Sequence, residues 1–297
     1  MVPETFVRVS QRLGDGETGG LGERPNSRSP SPPVPQSPSP LLGRKVFLIA
    51  ALLFIAVKGS AQLLSDLEPE RPLSIEDARP VSFRAFSGSV DWAYNVRQDR
   101  LNDYGPGFSL LYGAARGIEV GGSVRYVTRP GRNAERGISS GDIQLHALFS
   151  LTTETALWPA LAIKAGVEFP TGLDSKGTDL HMSALATRSF EKFRVHANFL
   201  WTRLGATGST ERNDRFDSIL GADCLVNTRG QTDTLLVTDL GWQTNPVLGG
   251  KGVFFVEGGI RQRIGVQTIF FVGAGSELTG ERDRAHFRAR IGLTHVY

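Results

Sequence analysis

Apolar and polar side chains alternate along most of the chain after residue 82. The clearest run is 193–203, whose odd positions are Phe, Val, Ala, Phe and Trp before the closing Arg, and whose first even positions are Arg, His and Asn. Successive side chains of a β-strand point to opposite faces, so this run has one apolar and one polar face. Runs 118–126, 161–169 and 287–294 follow the same pattern. The pattern predicts β-strands with one lipid-facing side and one wet side.

About twelve such strands, each of roughly ten residues, cover residues 82–297, and short turns alternate with longer polar loops. That length fits a tilted bilayer crossing. We therefore predict an all-β fold, a closed antiparallel transmembrane β-barrel preceded by a signal peptide. A soluble β-sandwich shares the alternation and is the alternative, although its strands average about five to six residues. Strand starts are predicted near Ser82, Gly107, Gly117, Gly141, Pro159, Thr178, Phe193, Phe216, Thr232, Gly252, Val266 and Ala285.

The chain before the barrel divides into three parts. Residues 1–45 are a Pro- and Ser-rich extension that we expect to be disordered, or a translated region upstream of the true start. Residues 46–61 contain twelve unbroken apolar residues, Val46 to Val57, followed by Gly59, Ser60 and Ala61. Twelve residues are too few for a membrane helix, so we expect a signal peptide cleaved between Ala61 and Gln62. A membrane anchor is the alternative.

Residues 62–81 lie between this cleavage site and the first predicted strand. Their leucines and acidic residues allow one short amphipathic turn. We predict either a periplasmic leader or a plug that enters the lumen, with a disordered leader as the remaining alternative.

Charge argues against a nucleic-acid partner. The chain has 33 Lys and Arg against 30 Asp and Glu, and residues 1–61 hold seven and four of these, which leaves 26 of each for residues 62–297. A neutral body lacks the basic patch that nucleic acid requires. The one cysteine, Cys224, excludes a disulfide framework, and its parity places it towards lipid.

In many predicted strands, charged residues and histidines occupy the alternating positions that point into the barrel, which we call the inward parity. They either line a pore and set its selectivity or pair with one another and brace the wall. We favour bracing, because both signs are mixed, whereas charge-lined channels show a run of one sign. The lumen-facing candidates are Asp91, Glu119, Arg125, Asp142, His146, Lys164, Glu168, Asp179, His181, Arg194, His196, Asp223, Asp239, Glu257, Arg261, Arg288 and Arg290.

The inward residues give little support for a catalytic site or a metal site. His146, His181 and His196 fall on three separate strands, and parity does not place them at one height. Ser183 and His181 share a strand face, but no motif frames them as a nucleophile and its base. We expect no enzymatic activity, no metal and no cofactor.

The end of the chain, Arg290–Tyr297, resembles the C-terminal recognition motif of bacterial outer-membrane proteins. Gly292 and the terminal Tyr297 stand where that motif has its glycine and its aromatic residue, and His295 replaces a usual aromatic. We predict that these residues are read by the barrel-assembly machinery. They also belong to the last strand, which must pair with the first so that no edge stays open.

Several short pieces carry a family resemblance over residues 71–297. They are Arg71–Ala78, Gly141–Leu145, the run Pro159–Gly172 with its Pro-Thr-Gly end, and Gly177–Leu180. In these pieces the chain resembles a family of outer-membrane proteins described as transporters of phenol degradation by the meta pathway. The resemblance implies a barrel and a transport role.

Together these features predict a protein of the bacterial outer membrane that contacts lipid. The leading expectation is a passive channel for small solutes, with aromatic or apolar solutes among the candidates and with selectivity set by the width and lining of the lumen. The first alternative is a structural or interaction barrel with a lumen filled by side chains, since twelve strands fall between filled and open barrels. The second is a soluble periplasmic β-protein.

Overall fold

Twelve antiparallel strands close into one barrel, in which each strand pairs with its sequence neighbours and β1 pairs with β12. The computed structural model describes residues 73–97, 102–128, 140–173, 175–229, 232–279 and 285–297. The strands are β1 Phe86–Arg97, β2 Asp103–Ala115, β3 Ile118–Arg125, β4 Ile143–Thr152, β5 Ala160–Phe169, β6 Asp179–Ser189, β7 Phe193–Arg203, β8 Asp214–Arg229, β9 Thr232–Gln243, β10 Val253–Arg263, β11 Thr268–Glu277 and β12 Ala285–Val296.

The predicted barrel and its strand number are confirmed. Every observed strand begins within four residues of its predicted start, and the largest differences are at β1 and β2. The β-sandwich alternative is wrong, because β1 pairs with β12 from Ser87↔Val296 to Arg97↔Ala285 and leaves the sheet no open edge. Closure matters physically, since unpaired backbone groups in hydrocarbon cost several kcal/mol each, as a rough figure.

The outer wall is apolar along the middle of the strands. Val90, Leu110, Phe199, Leu240 and Ile291 are each at least 44% exposed on the outward parity. A soluble protein rarely presents so large a continuous apolar surface, so the soluble alternative does not fit this wall. Cys224 is exposed on the same outer face.

The two ends of the barrel differ. At one end the strands are joined by short turns, such as 116–117, where Gly117 has a φ of +79° that suits glycine. We call this the short-turn end. The first residue of β1, Phe86, and the last residue of β12, Val296, both lie there. One connection at this end, 153–159, is longer than the others, and no loop was predicted at that place. The opposite, long-loop end carries the connections after β1, β3, β5, β7, β9 and β11.

Aromatic side chains lie at both ends of the strands, where the interfacial girdles of membrane barrels are found. Phe86 and Tyr112 stack at 4.4 Å at the short-turn end, and Tyr94 and Tyr104 meet at 6.3 Å near the long-loop end. Within the described ranges, no helix has the length and hydropathy needed to cross a membrane.

Candidate functional site: the barrel lumen

The predicted lumen side chains have the inward parity of their strands, with Asp142 placed just before β4. Their burial varies with their neighbours. Arg194, His196 and Arg261 are at most 2% exposed, whereas Arg125 and Lys164 retain side-chain exposures of 35% and 22%. The interior wall therefore carries charges in both dry and wet surroundings.

One group of charges joins three strands of the wall, and we call Asp91, Arg125 and Arg290 the wall cluster. Asp91 accepts two hydrogen bonds from the guanidinium of Arg125, at 3.0 and 3.1 Å, and two from that of Arg290, both at 2.9 Å. The bridge from β1 to β3 passes over Gly107 of β2, where a Cβ would lie 2.6 Å from Asp91 Oδ1. A side chain at position 107 would therefore crowd the ion pair, and glycine leaves room for it.

A second group of charges lies near the short-turn end. Arg194 donates from Nε and Nη2 to the two carboxylate oxygens of Asp223, at 3.0 and 2.7 Å. Its Nη1 also donates to Asp77 Oδ2 at 3.2 Å. His196 Nε2 lies 3.4 Å from Asp223 Oδ2, and the other ring nitrogen bonds to Thr187. We call Asp77, Arg194, His196 and Asp223 the segment cluster.

Asp77 belongs to residues 73–81, which occupy the lumen and are called the lumen segment below. Four of its backbone N–H groups donate to inward side chains of different strands, at 2.8–3.1 Å. Since β3 and the β9–β10 pair stand on opposite sides of a twelve-stranded ring, the segment spans the barrel. The bonds are Ser74 to Glu257 of β10, Ile75 to Asp239 of β9, Ala78 to Thr187 of β6 and Val81 to Glu119 of β3.

Apolar side chains of the segment are buried against apolar side chains of the inner wall. Ile75 is 1% exposed and Ala78 is fully buried. Ile75 lies over Gly221 of β8, where a Cβ would be 2.8 Å from its Cγ1. Two clusters form in this way: Leu73 and Ile75 with Ile219, Leu235, Val237, Phe255 and Ile269, and Ala78 with Leu148, Ala160, Ala162 and Leu185.

Residues 73–81 lie within the predicted leader or plug, 62–81, but sequence reasoning did not identify their individual contacts or the apolar patches that receive them. The leucines of the predicted amphipathic turn are Leu63, Leu64 and Leu67, which lie outside the described residues. The alternation of Leu73, Ser74, Ile75 and Glu76 was the signal that could have marked an ordered stretch. The predicted cleavage at Ala61 and Gln62 and the parts 1–45 and 46–61 also lie outside the described residues.

A cavity of about 90 Å³ lies beside the segment and is lined by Glu76, Gln144, His146, Lys164, His181 and Ser183, among others. Lys164 Nζ donates to both carboxylate oxygens of Glu76, at 3.1 and 3.0 Å. His181 Nδ1 bonds to Thr202 Oγ1 at 3.1 Å, and its Nε2 lies 3.4 Å from Glu168 Oε2. His146 Nε2 lies 3.7 Å from Glu119 Oε1.

The remaining lumen candidates are distributed along the wall. Arg288 Nη2 lies 3.4 Å from Glu257 Oε1 and its guanidinium stacks over Phe255 at 4.8 Å. Asp142 and Asp179 lie at the long-loop end. Their carboxylates accept hydrogen bonds from the backbone N–H groups of Gly172 and Gly205, respectively. His146, His181 and His196 stand on β4, β6 and β7, and among the described residues no three or more metal-ligand side chains are placed to hold an ion.

At the C-terminus, the three residues of the predicted assembly motif have separate surroundings. Gly292 faces inward, where a Cβ would lie 2.4 Å from Phe271 Cζ and 2.5 Å from Val90 O. His295 bonds to Thr268 Oγ1 at 2.9 Å and meets the ring of Tyr297 edge-on at 4.5 Å. The Tyr297 backbone pairs with Phe86 of β1, so these residues also close the barrel.

A closed antiparallel barrel with an apolar outer wall and a charged interior has the architecture of outer-membrane β-barrel proteins. Solved structures of this class resemble it. An outer-membrane channel from Pseudomonas putida F1 aligns with a TM-score of 0.59 and 14% identity, over 76% of this chain and 100% of that one. The KdgM porin gives 0.49 and 9%, over 70% of this chain and 98% of its own.

These comparisons concern the fold. No protein-family model matches the chain, and no curated protein is significantly similar in sequence. The likeness to the Pseudomonas channel shows that the two chains share a barrel, which agrees with the coarser part of the family resemblance. The phenol-degradation part of that resemblance stays a prediction.

Proposed function

We propose that this protein is a passive channel for small solutes in the outer membrane of a Gram-negative bacterium, and that the lumen segment closes it. The observation that carries the proposal is the segment itself. Eight-stranded barrels are filled by their own side chains, whereas barrels of about sixteen strands leave an aqueous channel. Here the wall side chains leave room for a peptide to cross from β3 to β10. Departure of that peptide would leave a passage.

The way in which the segment is held supports a movable closure. It precedes β1 along the chain, so it leaves the lumen without breaking any strand pairing of the barrel. Its attachments are non-covalent: hydrogen bonds, apolar contacts and the ion pairs of Glu76 with Lys164, Asp77 with Arg194 and Arg79 with Glu154. After departure, Arg194 keeps both of its hydrogen bonds to Asp223, so the wall does not acquire an unpaired buried arginine.

The wall side chains that departure of the segment would uncover indicate which class of solute the channel would favour. Leu235, Val237 and Phe255 form an inward apolar patch beneath the segment, next to the charged Asp239 and Glu257. A passage with an apolar strip and charges of both signs suits small amphipathic solutes better than bare ions of one sign. Aromatic or apolar solutes, the candidates expected from the sequence, belong to this class.

A reversible crosslink tests the closure directly. A Cβ at Gly221 would lie 3.2 Å from Ile75 Cβ, close to the Cβ–Cβ separation of roughly 3.5–4.5 Å that a disulfide needs. We would combine Ile75→Cys and Gly221→Cys with Cys224→Ser and record conductance in planar bilayers. The oxidised protein should be silent, and addition of reductant to the same bilayer should produce discrete openings. The matched control carries Cys224→Ser alone and should not respond to reductant.

Equal conductance before and after reduction would contradict closure by the segment. Silence in both states, with the barrel folded by heat-modifiable gel mobility, would contradict the channel. That second outcome would favour a structural or interaction barrel. The observation behind this second candidate is that the segment and the wall together form two apolar clusters inside the barrel, as in a filled core.

The processing and assembly expectations are part of the same proposal. Cleavage after Ala61 would leave a mature chain whose first residues lead into the lumen segment. Recognition of Gly292, His295 and Tyr297 by the barrel-assembly machinery would deliver the chain to the outer membrane. The proposed role requires no cofactor, metal or catalysis.

A further inference from the structure

The cavity beside the lumen segment contains a carboxylate that is held by a lysine. Both oxygens of Glu76 accept hydrogen bonds from Lys164 Nζ, at 3.1 and 3.0 Å. The two side chains remain 35% and 22% exposed. An ion pair with this much exposure contributes little net stability, since both charges are solvated when it opens. An external carboxylate can therefore compete for Lys164 at small cost.

Two histidines of the wall contribute polar atoms to the same cavity. The His146 side chain is 7% exposed, and neither of its ring nitrogens has a hydrogen-bond partner among the described residues. His181 uses Nδ1 for Thr202, while its Nε2 is likewise buried without a hydrogen bond in the described chain. A buried polar group without a partner costs free energy, and a ligand oxygen would remove that cost.

The surrounding charges favour a singly charged ligand. Glu119 lies 3.7 Å from His146, and Glu168 lies 3.4 Å from His181. These carboxylates would repel a phosphate more strongly than a monocarboxylate, because the repulsion grows with ligand charge. The volume of about 90 Å³ accommodates several water molecules or a short carbon chain, and Leu200 lines one side of it.

We propose that Lys164, His146 and His181 form a binding site for the carboxylate of a small organic acid, which takes the place of Glu76. This inference rests on the proposed channel function and adds a solute class and a trigger to it. Because Glu76 occupies Lys164 only while the lumen segment is seated, the acid binds better to the barrel with the segment displaced. The acid therefore shifts the barrel towards that state, by as much as its affinities for the two states differ.

Binding can be measured without conductance. We would titrate the full folded chain in detergent micelles with ¹³C-labelled propionate and follow ligand line broadening, with propionamide as an uncharged probe of matched size and inorganic phosphate as a second anion. Propionate should bind, and the other two should not. Lys164→Gln should weaken propionate binding at least about tenfold, the equivalent of one lost hydrogen bond to a charged group. Lys251→Gln, at an exposed loop lysine, should leave it unchanged.

The decisive variant is Glu76→Gln, which removes the competing charge from the segment. It should tighten propionate binding about tenfold while leaving the wall residues intact. Unchanged affinity in Glu76→Gln, equal binding of propionamide, or phosphate binding as tight as propionate binding would each overturn the proposal. The crosslinked protein separates this inference from the channel. If reduction fails to produce openings but propionate still depends on Lys164 and Glu76, the site exists without the channel; the reverse result leaves the channel and removes the site.

Discussion

The wall cluster and the segment cluster are both built from an aspartate held by an arginine, yet they differ in what they join. Asp91, Arg125 and Arg290 connect strands of the wall to one another. Arg194 connects Asp223 of the wall to Asp77 of the lumen segment. The first arrangement braces the barrel, and the second also attaches a removable part to it.

The two clusters also differ in their access to water. The side chains of Arg125 and Arg290 are 35% and 29% exposed, whereas that of Arg194 is 1% exposed and those of Asp77 and Asp223 are each 4% exposed. Breaking a dry ion pair leaves a buried charge without compensation, which costs far more than breaking a hydrated one. The same chemistry therefore has different consequences at the two places.

The largest effect is expected at Arg194. Arg194→Met leaves Asp77 and Asp223 as neighbouring buried carboxylates, so the free energy of unfolding should fall by about 3–5 kcal/mol. Urea unfolding of the refolded barrel, followed by heat-modifiable gel mobility, measures it. The control is Arg203→Met at an exposed pair with Asp214, where roughly 0–1 kcal/mol is expected. Equal decreases in the free energy of unfolding for the two variants would mean that water reaches the segment cluster.

A smaller effect is expected in the wall cluster. Asp91→Ala leaves two arginines that water still reaches, so we expect a loss of about 1–3 kcal/mol in the same unfolding assay. Introduced into the crosslinkable Ile75→Cys and Gly221→Cys protein, it should leave the response to reductant unchanged, because Asp91 contacts the wall and not the segment. Channel openings in the oxidised form would show that the two clusters are coupled. They would contradict the conclusion that the wall cluster braces the barrel without holding the segment.

The smallest effects are expected at two glycines. An added Cβ at Gly107 would press on Asp91 and Arg125, and one at Gly221 would press on Ile75 of the segment. Each substitution by alanine should cost about 1 kcal/mol in thermal unfolding. Only Gly221→Ala should increase channel opening, since it disturbs the seat of the segment. Gly88→Ala, whose Cβ meets nothing nearer than 3.9 Å, is the neutral control. Increased channel opening in Gly107→Ala would contradict the conclusion that the wall cluster does not hold the lumen segment.

The strands and the face of each side chain could be predicted from the sequence because both depend on a local rule. In β7, Phe199 points outward and His196 inward because successive side chains alternate, whatever the rest of the chain does. A shift of one residue would place the polar set in lipid, so the alternation also limits the pairing register. The number of strands follows from counting such runs.

Only the tertiary structure decided which inward residues meet. Parity gives a side chain its face but neither its height in the barrel nor its position around the wall. Arg194 and Asp77 are 117 residues apart, and Lys164 and Glu76 are 88 apart. The closure of β1 on β12 and the path of the lumen segment bring these pairs together, and no local pattern contains that information. The sequence thus determined a barrel with a charged interior, whereas the fold determined which of those charges brace the wall and which hold the segment across the lumen.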